Sequence, residues 1–428
     1  MPQPTGFYRA AQDDLVCDGV RLADIAAAEG TPLYVYSAAL LGGRYRAISN
    51  ALGNHPHTIH YALKANSTFA IAKLIRELGG AADANSLGEI ELARKAGFTS
   101  HQIVFTGVGK SPAELECAVA MGLKAINVES AGELARVEAI ASRLGLVARV
   151  AIRVNPDIDA KSHPHISTGL KINKFGVPTG DVRELFHSMA GRRALQLVAV
   201  HVHVGSQITT IDPLRRAAAT CAQLALELRD LGVSIEYVDL GGGLGISYDG
   251  GDVPSVREYG AALVDEIRPT GLPIVVEPGR VIAGPSAVLL ARVLDLKPRD
   301  ESSEFAVIDA GMTELMRPAL YGAYHRIEPV AFRDAPERQY EIVGPVCESG
   351  DVVGRNRRLH ALRAGDLVAI HDAGAYGSAM ASNYNRRPLP VEVLVDDGGW
   401  RVIRRRQTID DMLNLEDTGP MSHKDHNH

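Results

Sequence analysis

Several short segments of this chain end in residues that can do chemistry. The first is His60-Tyr61-Ala62-Leu63-Lys64-Ala65-Asn66, in which an apolar run from Thr58 delivers Lys64 at the end of a buried strand. A buried ammonium is too costly to leave alone: it finds an anion, loses its proton or bonds covalently. A neutral lysine amine attacks carbonyl compounds to form Schiff bases, although a structural salt bridge accounts for one such lysine as readily. The others are Asp83-Ala84-Asn85-Ser86 with Glu89 just beyond, Arg153-Val154-Asn155-Pro156, His201-Val202-His203-Val204-Gly205-Ser206-Gln207, Asp239-Leu240-Gly241-Gly242-Gly243-Leu244-Gly245 and Glu277-Pro278-Gly279-Arg280.

Each admits a plain reading beside a chemical one. Gly241, Gly242 and Gly243 form either a tight turn or a cradle whose bare amides let a phosphate approach. They are not a dinucleotide fingerprint, because Ile246 stands where that pattern needs glycine. Gly109-Lys110-Ser111 imitates a nucleotide P-loop end, but Val104 replaces its first glycine. His201 and His203 share one strand face. They are satisfied core residues, a ring-stacking or acid–base pair or, with Glu277, an imitation of a zinc site; a metal explains neither Lys64 nor the glycines, so no metal is assigned. Glu277 and Arg280 either pair with each other or serve separate ligand groups, a pyridinium nitrogen and a phosphate or carboxylate.

The elements that must position these groups follow a regular beat. Strands are predicted at 58–63, 80–84, 103–106, 125–129, 147–154, 197–204, 235–240 and 273–277. Amphipathic helices are predicted at 67–78, 86–96, 111–121, 131–144, 180–190, 212–231 and 255–268. Strands alternating with helices over this length predict a parallel (β/α)8 barrel, with a doubly wound open sheet as the other architecture. In a barrel the C-terminal strand ends form the functional rim, and every segment above falls there. After Gly284-Pro285 helical periodicity fades, and Ala287–Leu296, Phe305–Asp309, Tyr340–Val343, Leu367–His371 and Pro390–Leu394 read as short strands. The expected organisation is a barrel over 33–285, a mostly β domain formed by 1–32 with 286–412, and a disordered tail over 413–428. Leu33-Tyr34-Val35-Tyr36 precedes the barrel strands and is expected to pack on the β domain. The loop 157–173 reads as a lid.

The 428 residues exceed one simple core, and a composition 46% hydrophobic and 22% charged is that of a water-soluble globular protein. A net charge of −6 argues against nucleic-acid or anionic-membrane binding. No apolar run reaches spanning length, and the N-terminus lacks the pattern of a secretory signal. Cys17, Cys117, Cys221 and Cys347 are scattered without metal spacing, as in a cytoplasmic protein with reduced thiols. The tail histidines read as solvated.

Together, His60–Asn66, His201–Gln207, Gly241–Gly245 and Glu277–Arg280 resemble the fold-type III enzymes dependent on pyridoxal 5'-phosphate (PLP), among them the alanine racemases and the ornithine, arginine and diaminopimelate decarboxylases. Met316–Tyr321, Gly344–Asp351 and Asp372–Gly377 narrow the resemblance to the diaminopimelate decarboxylases, over about residues 5–415. The resemblance implies that Lys64 holds PLP, His203 stacks on its ring and Glu277 pairs with the ring nitrogen and keeps it protonated. Ser206, Gly241–Gly243, Pro278, Gly279, Arg280 and Tyr376 would surround the phosphate, with Asp83, Glu89 and Arg153 around the lysine and ring. Cys347 would be the general acid and Glu348 would face the distal amino group of the substrate. Arg280, Arg317 and Tyr321, with Tyr376 nearby, would hold its distal carboxylate. It further implies a homodimer in which Cys347 and its neighbours reach the Lys64 site of the other subunit. Asn85 departs from the apolar or small residue expected there.

The implied reaction is decarboxylation of meso-2,6-diaminopimelate to L-lysine. Sister decarboxylases acting on ornithine, D-lysine or carboxynorspermidine are the alternatives, and Arg317 with Glu348 argues against them. An alanine racemase would use tyrosine where Cys347 stands. A non-catalytic PLP-binding barrel would lack the second domain, and a protein without cofactor would not collect these groups at strand ends. His325 reads as capping a nearby turn.

Overall fold

Apolar β-branched runs and amphipathic segments alternate because each parallel strand must be buried on both faces. The computed structural model describes residues 5–10, 14–159, 174–189, 191–416 and 419. Eight parallel strands close into a barrel: His57–Ala62, Ala81–Ala84, Ile103–Phe105, Ala125–Val128, Ala148–Asn155, Leu195–Val202, Tyr237–Asp239 and Ile274–Val276. Closure is made by Ile274–Val276 pairing with His57–Ile59, so the barrel expectation holds and the open sheet does not. The seven predicted helices form, at Phe69–Glu77, Leu87–Lys95, Pro112–Met121, Ala131–Leu144, Thr179–Met189, Asp212–Asp230 and Val256–Ile267. Serine caps begin several of them: the Ser86, Ser111, Ser130 and Ser255 hydroxyls each accept an amide three residues on.

Among the described residues the longest helix outside the predicted set is Ala38–Leu52. It packs between the helix Val256–Ile267 and the first barrel helix, and so fills the outer-ring position that the four-residue helix Arg280–Ala283 after the eighth strand is too short to fill. Its packing is intimate: a Cβ on Gly260 would collide with the Ala51 backbone.

The β domain is a nine-stranded mixed sheet built mainly from Ala287–Pro298, Ser303–Ile308, Glu337–Val343, Val352–His360, Leu367–Ile370, Val391–Asp396 and Gly399–Arg404. Leu33–Ser37 lies inside it, antiparallel to Ala287–Leu290 and parallel to Val391–Val395. By sheet membership the barrel segment therefore starts after Ser37, not at residue 33. The N-terminal strands Phe7–Arg9, Leu15–Cys17 and Val20–Arg21 and the helix Leu22–Glu29 cover one face: Leu15, Leu22 and Ile25 share a core with Val35, Val288 and Val393. Of the expected lid at 157–173, residues 160–173 lie outside the described residues. Of the expected disordered tail, Leu413 ends the helix Ile409–Leu413 and Glu416 pairs with Arg386; the tail histidines lie outside the described residues. Among the described residues no helix is long and apolar enough to cross a membrane.

Candidate active site

The first barrel strand stops at Ala62, and a tight turn, Leu63–Ala65, carries Lys64 off its end. That turn is tied to the β domain. Tyr376 N–H donates to the Ala65 carbonyl at 2.8 Å, and the Asn66 amide donates to the Gly374 carbonyl and the Tyr36 hydroxyl, each at 3.0 Å. Lys64 Nζ lies 3.3 Å from Asp83 Oδ2 at the end of the second strand. Burial opposes the ammonium, but Asp83, then Glu277 and Tyr376, outweigh it and hold the lysine pKa above its usual value. The other Asp83 oxygen is buried without a hydrogen-bond partner among the described residues.

Lys64 shares a cavity of about 240 Å³ with Arg153, His203, Ser206, Glu277, Arg280, Arg317, Tyr321 and Tyr376. Residues from the two halves of the chain, far apart in sequence, thus meet at the strand ends. Arg153 is anchored by Glu129, with Nη1 to Oε1 at 2.6 Å, and stacks on Phe175. Asn85, Thr106, Gly107 and Phe175 also line the cavity. Glu129 holds the Gly176 amide as well, at 2.8 Å. Thr106 and Glu129 went unread in the sequence, though both stand at the ends of strands three and four, where the same barrel rule would have found them. Phe175 lies in a loop, and Tyr248 follows the glycine run; no spacing marks either.

His203 accepts the Gly242 amide at Nδ1, 3.1 Å away, so its ring proton sits on Nε2. Burial, then Lys64 and Arg153, keep this imidazole neutral. The glycine run behaves differently from the three-amide cradle expected. The Gly241 amide donates to Asp239 Oδ1 at 3.0 Å and the Gly242 amide is spent on His203, which leaves that of Gly243 for a ligand. Gly241 and Gly242 serve by shape: a Cβ on either would strike the carbonyl of Val202 or of Glu277. Gly279 likewise lets the eighth loop lie against Ala65, 2.8 Å from where its Cβ would be.

No ion pair joins Glu277 and Arg280. Glu277 Oε2 faces His201 Nε2 at 3.3 Å, while Oε1 is buried without a hydrogen-bond partner among the described residues. Burial would raise the Glu277 carboxyl, but His201, Lys64 and His203 prevail and keep it ionised. Asp239 beside it is driven the other way by burial and by Glu277, so it keeps its proton. His201, Asp239 and Glu277 form a buried trio within 4.8 Å; His203, counted with His201 and Glu277 in the zinc alternative, stands outside it. Arg280 donates to the Ser206 hydroxyl at 3.0 Å and the Tyr248 hydroxyl at 2.8 Å, and its guanidinium carbon lies 4.7 Å from the Tyr376 ring centre.

Cys347 and Glu348 do not line this cavity. Both are exposed, on a loop built around buried Asp351, which accepts the Met312 and Val346 amides at 2.6 and 2.8 Å. Cys17, Cys117 and Cys221 are free thiols remote from the cavity lining, and burial pushes those of Cys17 and Cys221 up.

The donor set fits PLP. A lysine amine, an ionised carboxylate lining the cavity, a neutral imidazole, and a hydroxyl, an amide and a guanidinium grouped together match its aldehyde, its ring nitrogen and face, and its phosphate. A family model described as the pyridoxal-binding domain of pyridoxal-dependent decarboxylases matches residues 39–284, which gives the class. A diaminopimelate decarboxylase of Pseudomonas aeruginosa is 42% identical over 97% of this chain and 99% of its own. One from Neisseria meningitidis serogroup B is 43% identical over 94% and 97%. The crystal structure of the Helicobacter pylori diaminopimelate decarboxylase complexed with L-lysine superposes with a TM-score of 0.89, at 39% identity, covering 93% of this chain and 100% of that one. The chain belongs to the diaminopimelate decarboxylase family of PLP-dependent enzymes.

Proposed function

We propose that this protein removes one carboxylate of meso-2,6-diaminopimelate as carbon dioxide and leaves L-lysine. The observation that carries the substrate is Arg317: a buried guanidinium without a carboxylate partner among the described residues, lining the same cavity as Lys64. A substrate bearing a second carboxylate supplies the missing anion, whereas ornithine brings only an ammonium. Bound PLP supplies an electron sink for the pair left behind when the carboxylate departs.

The residues of the chain do the rest. Lys64 is the covalent anchor, and Asp83, Glu89 and Arg153 set its electrostatics. His203 supports one ring face, and the ionised Glu277 carboxylate holds a proton at the ring nitrogen. Ser206, the Gly241–Gly243 turn, the Pro278-Gly279 turn, Arg280 and Tyr376 receive the phosphate. Arg317 and Tyr321, with Arg280 and Tyr376 nearby, orient the distal carboxylate.

Cys347 is the proton donor to the product carbon and Glu348 meets the distal ammonium. Both are exposed in one chain and absent from the cavity lining, which supports a homodimer whose second copy completes the site. We further infer that the enzyme acts in the cytoplasm.

The test is carbon dioxide release from meso-diaminopimelate, L-ornithine and L-lysine in parallel, with the visible spectrum of the purified protein. Release from diaminopimelate alone, with a visible band that Lys64→Ala abolishes, is the expected result. A band without release from diaminopimelate moves the function to a sister decarboxylase.

A further inference from the structure

Burying an arginine ordinarily calls for a carboxylate beside it. Arg317, only 5% exposed at the start of the short helix Arg317–Tyr321, has none among the described residues. Its Nη1 instead donates to His325 Nε2 at 2.7 Å. The other ring nitrogen, Nδ1, lies 2.8 Å from the His371 carbonyl oxygen. A carbonyl can only accept and a guanidinium can only donate, so Nδ1 carries the proton and Nε2 is a bare lone pair. The geometry therefore admits only the neutral imidazole. Burial and the Arg317 charge push its pKa the same way, down to about 3.

Tyr248 completes the holder. Its ring centre lies 4.4 Å from the Arg317 guanidinium carbon, and the His325 ring meets it edge-on at 5.1 Å. The Tyr248 hydroxyl accepts from Arg280. Two of the three arginines that line the cavity, Arg280 and Arg317, are thus gripped by neutral groups (an imidazole lone pair, an aromatic face and hydroxyls), while Arg153 is held by the Glu129 carboxylate. Asp372 senses Arg317, but behind its own burial and behind His371, Arg326 and Arg44. A carboxylate in the place of His325 would tether Arg317 at least as firmly and would cancel its charge.

We propose that His325 is a positioning residue for substrate selection, a neutral acceptor that fixes Arg317 while leaving its positive charge for the distal carboxylate of the substrate. This rests on the assignment of that carboxylate to Arg317 made above.

Three replacements of His325 separate tethering from charge. His325→Gln keeps a carbonyl acceptor near the Nε2 position, His325→Leu removes it, and His325→Glu adds a carboxylate. Steady-state carbon dioxide release from meso-diaminopimelate is measured on the PLP-loaded enzymes, with cofactor content from the visible spectrum. Losing a hydrogen bond to a charged group predicts a KM raised by roughly 10- to 100-fold for His325→Leu, with full cofactor content. His325→Gln recovers most of that loss. His325→Glu stays as poor as His325→Leu despite its stronger tether.

A parent-like KM in His325→Glu overturns the proposal, as does an unchanged KM in His325→Leu. Lost cofactor together with a fall in kcat alone also overturns it, because that is what a merely structural histidine would give. If His325→Leu does not fold, the isosteric Gln and Glu variants decide between them. Arg317→Leu is assayed alongside. An unchanged KM there refutes the carboxylate assignment itself; a raised KM there with inert His325 variants refutes only the role of His325.

Discussion

His201 Nε2 lies 3.3 Å from Glu277 Oε2, and this contact, not an ion pair with Arg280, holds the Glu277 carboxylate in the barrel. Oε1 is buried without a hydrogen-bond partner among the described residues, and Glu277 lines the cavity. Glu277→Gln removes the charge and keeps the shape. We expect it to retain PLP, seen as an unaltered visible band, while kcat falls at least about 100-fold as the electron sink weakens. Parent-like turnover would refute the role of Glu277.

The exposed position of Cys347 gives a second test. Lys64→Ala and Cys347→Ala should each lose most turnover, and Cys347→Ala should keep its cofactor. If two copies share each site, unfolding and refolding an equal mixture of the two inactive variants restores activity. Random pairing then gives about a quarter of the parent value, since half the dimers are mixed and each has one intact site. No recovery would mean that each chain supplies its own cysteine.

Glu89 predicts a pH dependence of stability in the cofactor-free protein. Burial, opposed by the Asn85 amide and aided by Asp83, pushes its carboxyl up to about 7, against about 4.3 in the unfolded chain. Between those values the folded form keeps a proton that the unfolded form has released. The Glu89 contribution therefore falls as pH rises through this window and is flat above it. Relative to Glu89→Gln, the parent should lose on the order of 3 kcal/mol between pH 4 and pH 8. Urea unfolding of both proteins at the two pH values measures it; parallel curves would refute it.

Lys110 is a structural counterpart to Lys64. Its ammonium is 1% exposed and bonded to Glu133 at 2.6 Å and to the Gly107 and Asn127 carbonyls at 2.5 and 2.7 Å. Lys110→Met leaves the Glu133 charge buried and alone, which should cost about 3–5 kcal/mol in denaturant unfolding. Lys110→Met/Glu133→Leu should recover part of it. A loss under 1 kcal/mol for the single variant would show that water reaches Glu133.

Lys64, half-buried in its cavity, and the fully buried Lys110 thus stand on the same barrel, and sequence alone could not tell them apart by type. Neighbours did: Lys64 came with other reactive strand ends, and Lys110 only with a failed P-loop pattern. The eight strands and seven helices were legible because each is locally amphipathic or β-branched and bounded by serine caps or glycines. Ala38–Leu52 was not, since Gly42-Gly43 lies mid-helix and no acidic residue marks its first turn. Strand Val352–His360 also escaped, because its arginines mask the β pattern of an edge strand. At the site, chemistry carried by strand ends could be read, while Tyr248 and Phe175 come from loops whose paths follow from tertiary packing. The neutral state of His325 follows from the partners of both its ring nitrogens, which lie far apart from each other in sequence and leave no local signal.

Leu33–Ser37 lies between two strands made much later on the ribosome. Its antiparallel neighbour begins at Ala287 and its parallel neighbour at Val391. At 5–20 residues per second, roughly 20–70 s pass between synthesis of this fully buried strand and of its last partner. Until Ala287–Leu290 is made the strand has no sheet partner, and its other edge stays bare until Val391–Val395 follows. The nascent chain therefore carries a sticky segment near its start until almost its last residues emerge, a demand on chaperones written into the order in which the sheet is threaded.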